Sequence, residues 1–138
     1  MGEMVEFPSN GSTATGYLAV PDRGSGPGVL VIQEFWGLVD HIKDVCERFA
    51  AEGFVALAPD LYHGETTDEP DEAGKLMMAL NLDRAIRDLG GAADFLAGHD
   101  AVTSSKLGVT GFCMGGGLAL ALAAERPTAS APASPSTE

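Results

Sequence analysis

The chain has 138 residues, 45% hydrophobic and 20% charged, ordinary proportions for one globular domain long enough to bury a core. Its 20 acids outweigh 8 bases, a formal net charge of −12, which argues against the cationic footprint that nucleic acid or an anionic membrane surface requires. No apolar run approaches the roughly 18 residues of a membrane span, and Met1-Gly2-Glu3-Met4-Val5-Glu6 lacks the basic and apolar regions of a secretory signal, so a cytoplasmic protein is expected.

After the turn signal Asn10-Gly11-Ser12, Tyr17-Leu18-Ala19-Val20 reads as an early strand ending at Pro21-Asp22. Residues 29–32, Val-Leu-Val-Ile, form a continuous apolar run, as expected of a parallel strand buried on both faces, and deliver Gln33-Glu34-Phe35-Trp36-Gly37 at its carboxyl end. Asp40 stands where it can cap a helix. The stripe Ile42, Val45, Cys46, Phe49 and Ala50 follows helical spacing, puts Cys46 in the core, and ends at Gly53. With no secretory signal, Cys46 and Cys113 are expected as free thiols.

Residues 54–58 form a second buried strand, halted by Pro59 and followed by Asp60-Leu61-Tyr62-His63-Gly64 and an acidic loop. Leu76, Met77 and Leu80 mark one helical face; Leu82, Ile86, Leu89, Ala93 and Leu96 mark another. Gly90-Gly91 weakens that second helix, by roughly 1 kcal/mol per glycine relative to alanine, or marks a close packing point against the sheet. A third strand, residues 107–110, leads into a glycine-rich turn and a helix over 118–125. This order predicts an α/β fold, a three-layer, open, mostly parallel sheet with right-handed crossovers and no internal repeat. Residues 1–127 make the domain; residues 128–138, rich in Ala, Ser and Pro, are expected to be a disordered tail.

Gly111-Phe112-Cys113-Met114-Gly115 has the form of the nucleophile elbow, with sulfur in place of the usual hydroxyl. Cys113 would stand at the apex of a strand-to-helix turn, where the helix N-terminus favours thiolate. Two other readings compete. The turn could cradle a phosphate, but Cys113 replaces the middle glycine of the dinucleotide fingerprint, and Gly116-Gly117-Leu118 stands where a P-loop needs Gly-Lys-Ser/Thr. Cys113 could also be an inert core thiol.

Reactive groups of open parallel sheets gather at the carboxyl ends of strands, and Glu34, Asp60, Tyr62, His63 and Cys113 all fall there. Adjacent strands lie about 4.8 Å apart, so Glu34 and Cys113 can meet if their strands are neighbours. The backbone N–H groups of Phe35 and Met114 would form an oxyanion hole suited to thiolate attack on an ester. A cysteine nucleophile also needs a base. No histidine follows Cys113; His41 and His99 are expected on the solvated surface, and His63 has the correct edge but a structural loop role as its alternative. No metal or organic cofactor is indicated, because the cysteines and histidines lack ligand spacing.

Taken together, Gln33-Glu34-Phe35-Trp36-Gly37, Ala58-Pro59-Asp60-Leu61-Tyr62 and Gly111-Phe112-Cys113-Met114-Gly115-Gly116 resemble the dienelactone hydrolase family, the carboxymethylenebutenolidases, over about residues 15–127. The resemblance implies an α/β-hydrolase-like enzyme that opens an unsaturated cyclic ester during breakdown of aromatic compounds. It implies Cys113 as nucleophile, Glu34 as the carboxylate contacting it, and Trp36, Tyr62 and Arg84 as substrate contacts, with Lys75 and Arg87 in the same region as Arg84. The triad Asp and His of the family have no counterpart here, so the chain resembles the first part of such an enzyme, lacking its last βα units. The elbow strand would then miss its outer neighbour, and an unpaired apolar edge would invite self-association. The alternatives are an inactive truncated fragment, an interaction module using that edge, or a chain completed by a second one that brings Asp and His.

Overall fold

The size alternation of one strand sets the layering. β4 (Val55–Pro59) reads Val-Ala-Leu-Ala-Pro and is buried at every position. Successive side chains of a strand point to opposite faces, so Val55 and Leu57 fall on one side of the sheet and Ala56 and Ala58 on the other. The computed structural model describes residues 2–9, 11–33, 37–79, 82–104, 107–112 and 129–136. Around β4 these build β1 (Gly2–Ser9), β2 (Ser12–Ala19), β3 (Gly28–Ile32), α1 (Asp40–Ala51), α2 (Pro70–Ala79), α3 (Leu82–Ala97), β5 (Leu107–Phe112) and β6 (Ala129–Ser136).

The strand order is β1-β2-β4-β3-β5-β6. β1 pairs with β2 and β2 with β4 antiparallel, whereas β3 lies parallel between β4 and β5, and β6 is parallel to β5. The core is therefore the expected parallel sheet, with an antiparallel hairpin on one flank. Leu57 and Val55 join Leu30, Ile32, Val109, Leu89 and Leu96 in the cluster under α3. Ala56 and Ala58 join Val29, Val31, Ile42, Cys46 and Ala50 in the cluster under α1. The three layers are thus α1, sheet and α3.

Three expectations change. β1 is a strand that composition does not announce: its exposed Glu3, Met4, Glu6 and Pro8 leave only Phe7 and Ser9 fully buried. Pairing with β2 around Gly11, whose φ of +76° suits the tight turn, makes it a strand. Asp40 does not cap α1; the N-cap is Val39, without a side-chain bond, and Asp40 contributes its charge from within the first turn. Finally, Ala129–Ser136 forms β6 beside β5 in place of the expected disordered tail, so among the described strands the outer edge of the sheet on this side is β6 and not β5. The physical reason is that β5 presents backbone N–H and C=O groups, which an extended segment can satisfy without branched side chains. The expected helix over 118–125 lies outside the described residues.

The Gly90-Gly91 pair has its packing explanation. A Cβ on Gly91 would come within 2.7 Å of the Pro8 carbonyl oxygen and 3.2 Å of the Ser9 Cβ, so α3 meets the end of β1 there with no room for a side chain. Among the described residues, no helix is long and apolar enough to cross a membrane.

Candidate active site

β3 and β5 are neighbours, and their register sets Ile32 against Gly111. Glu34 stands two residues beyond Ile32, and Cys113 two residues beyond Gly111. The described ends of β3 and β5 therefore lie side by side. Cys113, Glu34, Phe35, Trp36 and Met114 themselves lie outside the described residues. The described part of this edge is the end of β3, the loop after β4 and what holds them.

Gln33 is fully buried at the end of β3, and its Oε1 accepts a 2.8 Å hydrogen bond from the Leu61 N–H. An amide in a solvent-free site needs such a partner, and this one ties the exit of β3 to the exit of β4. Asp60 comes next. Its backbone N–H donates to the Thr15 carbonyl on β2, while its carboxylate accepts from the N–H groups of Tyr62 (3.2 Å) and Gly64 (2.7 Å). This is an Asx-type turn, in which a short side chain substitutes for backbone acceptors. Asp60 thus organises the loop.

His63 is the one non-glycine residue with positive φ (+53°) among the described residues. The left-handed conformation costs an ordinary residue roughly 1–2 kcal/mol, so something must hold it. Its Nε2 lies 2.9 Å from Asp88 Oδ2, with the His63 side chain 31% exposed and that of Asp88 only 6%. The other oxygen, Asp88 Oδ1, accepts from the Ser9 hydroxyl at 2.5 Å. One buried carboxylate on α3 thereby gathers β1 and the loop after β4. That bond ties His63 to α3.

Tyr62 is buried, and burial raises its phenol above the ordinary value, so it remains a protonated donor at neutral pH. Arg84 is exposed on α3 and lines a cavity of about 40 Å³ with Ser9, Ser12, Thr13, His63 and Asp88. That cavity lies beside the β1–β2 hairpin, whose strands are on the far side of β4 and β3 from β5. Lys75 lies 3.8 Å from Glu72 with both side chains largely exposed, the solvated arrangement. His41 is exposed. His99 departs from the expectation of a solvated residue: it is half-buried, its Nδ1 accepts from the Ala101 N–H, and its ring meets Phe95 edge-on.

A cavity of about 460 Å³ lies at the opposite edge, between the end of β2 and the C-terminus of α1, lined by residues such as Val20, Arg23, Glu47 and Glu52. It is remote from the strand ends where the chemistry gathers. Near it, Tyr17 donates to Glu47, which also accepts from the Gly2 N–H at 2.7 Å. The bond to Glu47, with burial, pushes the Tyr17 phenol up to about 12, and the Tyr17 bond lowers the Glu47 carboxyl. Cys46 is free and fully buried, and burial pushes its thiol up to about 12. Among the described residues, no group of three His, Cys, Asp or Glu could hold a metal ion.

The profile of the dienelactone hydrolase family matches residues 14–135, nearly the whole chain. The chain belongs to the dienelactone hydrolase family. It is similar to Protein usf of Aquifex pyrophilus, at 47% identity over 133 residues, covering 92% of this chain and 57% of that protein. A Klebsiella pneumoniae protein provisionally assigned as a dienelactone hydrolase superposes with a TM-score of 0.84 at 34% identity, covering 96% of this chain and 57% of the other. A dienelactone hydrolase-like promiscuous phosphotriesterase from metagenomic libraries gives 0.76 at 31% identity, covering 89% and 53%. The chain thus spans little more than half the length of the family members it matches.

Sequence patterns had marked the motif Gln33–Gly37 and the loop 60–64 but had given no role to Gln33, Ser9 or Asp88. Gln33 was legible in principle, as a polar residue closing an apolar run. Nothing in the local pattern of α3 singles out Asp88 from Arg84, Arg87 or Asp94, because its partners come from distant elements.

Proposed function

We propose that this chain carries the nucleophile half of an ester or lactone hydrolase of the dienelactone hydrolase kind. Cys113 is the nucleophile and Glu34 the carboxylate beside it. The backbone N–H groups of Phe35 and Met114 receive the oxyanion, and Trp36, Tyr62 and Arg84 contact the substrate. Thiolate sulfur attacks the carbonyl carbon and the oxyanion rests on the two N–H groups; collapse breaks the ester C–O bond, its oxygen leaving with a proton from solvent (tethered to the acyl group in a lactone), and water then cleaves the thioester to the carboxylic acid and the free thiol. One observation supports this reading: β3 and β5, the strands that lead to Glu34 and Cys113, are adjacent, parallel and in register at Ile32 and Gly111. An unsaturated lactone of aromatic breakdown is the proposed substrate class, and the cytoplasm the proposed location. The proposed domain spans residues 1–127, with 129–136 as an added edge strand.

The rival reading is a non-catalytic chain. It is favoured by the engagement of His63, the histidine of the loop after β4, with Asp88 on α3. Loss of the base in such a triad costs several orders of magnitude in rate. Assay of the purified chain on dienelactone and p-nitrophenyl acetate separates the two. Turnover that vanishes in Cys113→Ala supports the hydrolase. Absence of turnover supports the rival, and rescue by a fragment bearing Asp and His would then assign those groups to a second chain. Iodoacetamide should label Cys113 faster than Cys46, whose thiol is buried and pushed up to about 12. Equal labelling of the two would remove the case for an activated thiol.

A further inference from the structure

We propose that Asp88 is a positioning residue for the active edge: through His63 it fixes the loop after β4, and through the Leu61–Gln33 bond that loop fixes the exit of β3. The inference rests on the hydrolase reading for its functional meaning, and on geometry alone for its structural part.

Asp88 is buried on α3, and both its oxygens are used, one by the Ser9 hydroxyl of β1 and one by His63 Nε2. A buried carboxylate with both oxygens occupied is an anchor, because releasing either partner leaves a largely buried acceptor without its bond. His63 holds a φ of +53°, a left-handed conformation uncommon for residues other than glycine. A strained backbone persists when its surroundings over-determine it. Here the surroundings are the Asp88 bond on one side and the Asp60 turn on the other, which takes the N–H groups of Tyr62 and Gly64.

The loop so held presents the Leu61 N–H to Gln33 Oε1 at 2.8 Å. Gln33 is fully buried and directly precedes Glu34 and Phe35. A contiguous run of hydrogen bonds and three loop residues thus joins α3 to the segment that carries the carboxylate and one oxyanion donor. Its members come from β1, β3, the β4 loop and α3, so none of them is redundant with another. Asp88 touches no reacting atom; it acts on where the loop stands.

Backbone amide hydrogen exchange on the full chain tests this, in wild type, Asp88→Asn and Ser9→Ala. Asp88→Asn keeps the shape but cannot accept both bonds as a carboxylate does. Exchange at Leu61, Tyr62 and Gly64 should rise at least about tenfold in Asp88→Asn, with Leu30 and Leu57 within about threefold of wild type. Ser9→Ala keeps the His63 bond and should raise loop exchange less than Asp88→Asn does. Uniform acceleration of loop and strands would overturn the proposal and make Asp88 a general stabiliser; an unchanged loop would overturn it directly.

If the wild-type chain turns over ester, Asp88→Asn should lose about tenfold in kcat, because small misplacements of a catalytic segment are costly, with KM within about twofold. A loss confined to KM, or none, would overturn the functional part. If wild type shows no turnover, the hydrolase reading fails for this chain, while the exchange data still decide whether Asp88 fixes the loop.

Discussion

The two faces of the sheet are built on different principles. Under α3 the strands present large side chains, Leu30, Ile32, Leu57 and Val55, against Leu89 and Leu96, and Phe7 adds a tilted ring contact with Phe95 at 5.7 Å. Under α1 the same strands present Val29, Val31, Ala19, Ala56 and Ala58, and the helix answers with Ile42, Cys46 and Ala50. The contrast comes from β4, which turns Val55 and Leu57 toward α3 and Ala56 and Ala58 toward α1, while β3 presents branched aliphatics to both. A continuous apolar strand therefore carries more information than its hydrophobicity: the alternation of size along it assigns a helix to each side.

The sharpest test of that contrast is Leu57→Ala, which empties a fully buried site on the large-residue face. It should destabilise the chain by about 2–5 kcal/mol, measured by urea unfolding. A loss below about 1 kcal/mol would show that α3 collapses onto the gap and that this face is not tightly packed. The opposite change, Ala56→Leu, pushes bulk toward α1 and should cost about 1–3 kcal/mol by overpacking. A neutral result in the same titration would show that the α1 face has room for a larger side chain at Ala56.

The smallest effect is expected from alkali, through Cys46 and Tyr17 on the α1 side and through the raised Tyr62 phenol after β4. The Cys46 thiol is raised from 9.0 to about 12 chiefly by burial, and the Tyr17 phenol from 10.0 to about 12 chiefly by its bond to Glu47. Both groups are held neutral by folding, and a folded pKa above the unfolded one contributes stability that is complete below the unfolded value. That contribution is lost as pH rises toward about 12. Unfolding midpoints followed from pH 8 upward should fall in wild type and fall less in Cys46→Ala and Tyr17→Phe, relative to each variant's own midpoint at pH 8. Parallel curves would mean that neither group carries the pH dependence.

Much of this was legible along the chain. Apolar runs and helical stripes located β3, β4, β5, α1 and α3, because each is buried on a face that its own sequence pattern must supply. β1 was not, since Glu3, Met4 and Glu6 face solvent and its pairing with β2 decides the matter. β6 was not, since Ala, Ser and Pro announce no core, and the strand forms where β5 offers a backbone partner. At the candidate site, the motif order 33–37, 58–62 and 111–116 pointed to the family before any geometry. The roles of Ser9, Gln33 and Asp88 needed three dimensions, because their partners are 79, 28 and 25 positions away in sequence.

The exposed acids of β1 bear on how the protein behaves in a crowded solution. Glu3 and Glu6 stand on a flank strand whose far side has no partner among the described strands, in a chain already carrying a formal charge of −12. Two molecules meeting flank to flank would bring like charges together along the very groups that offer free backbone bonds. That flank is in effect a colloidal bumper, firm in dilute buffer and softened by salt, which screens charges over about 8 Å at physiological ionic strength.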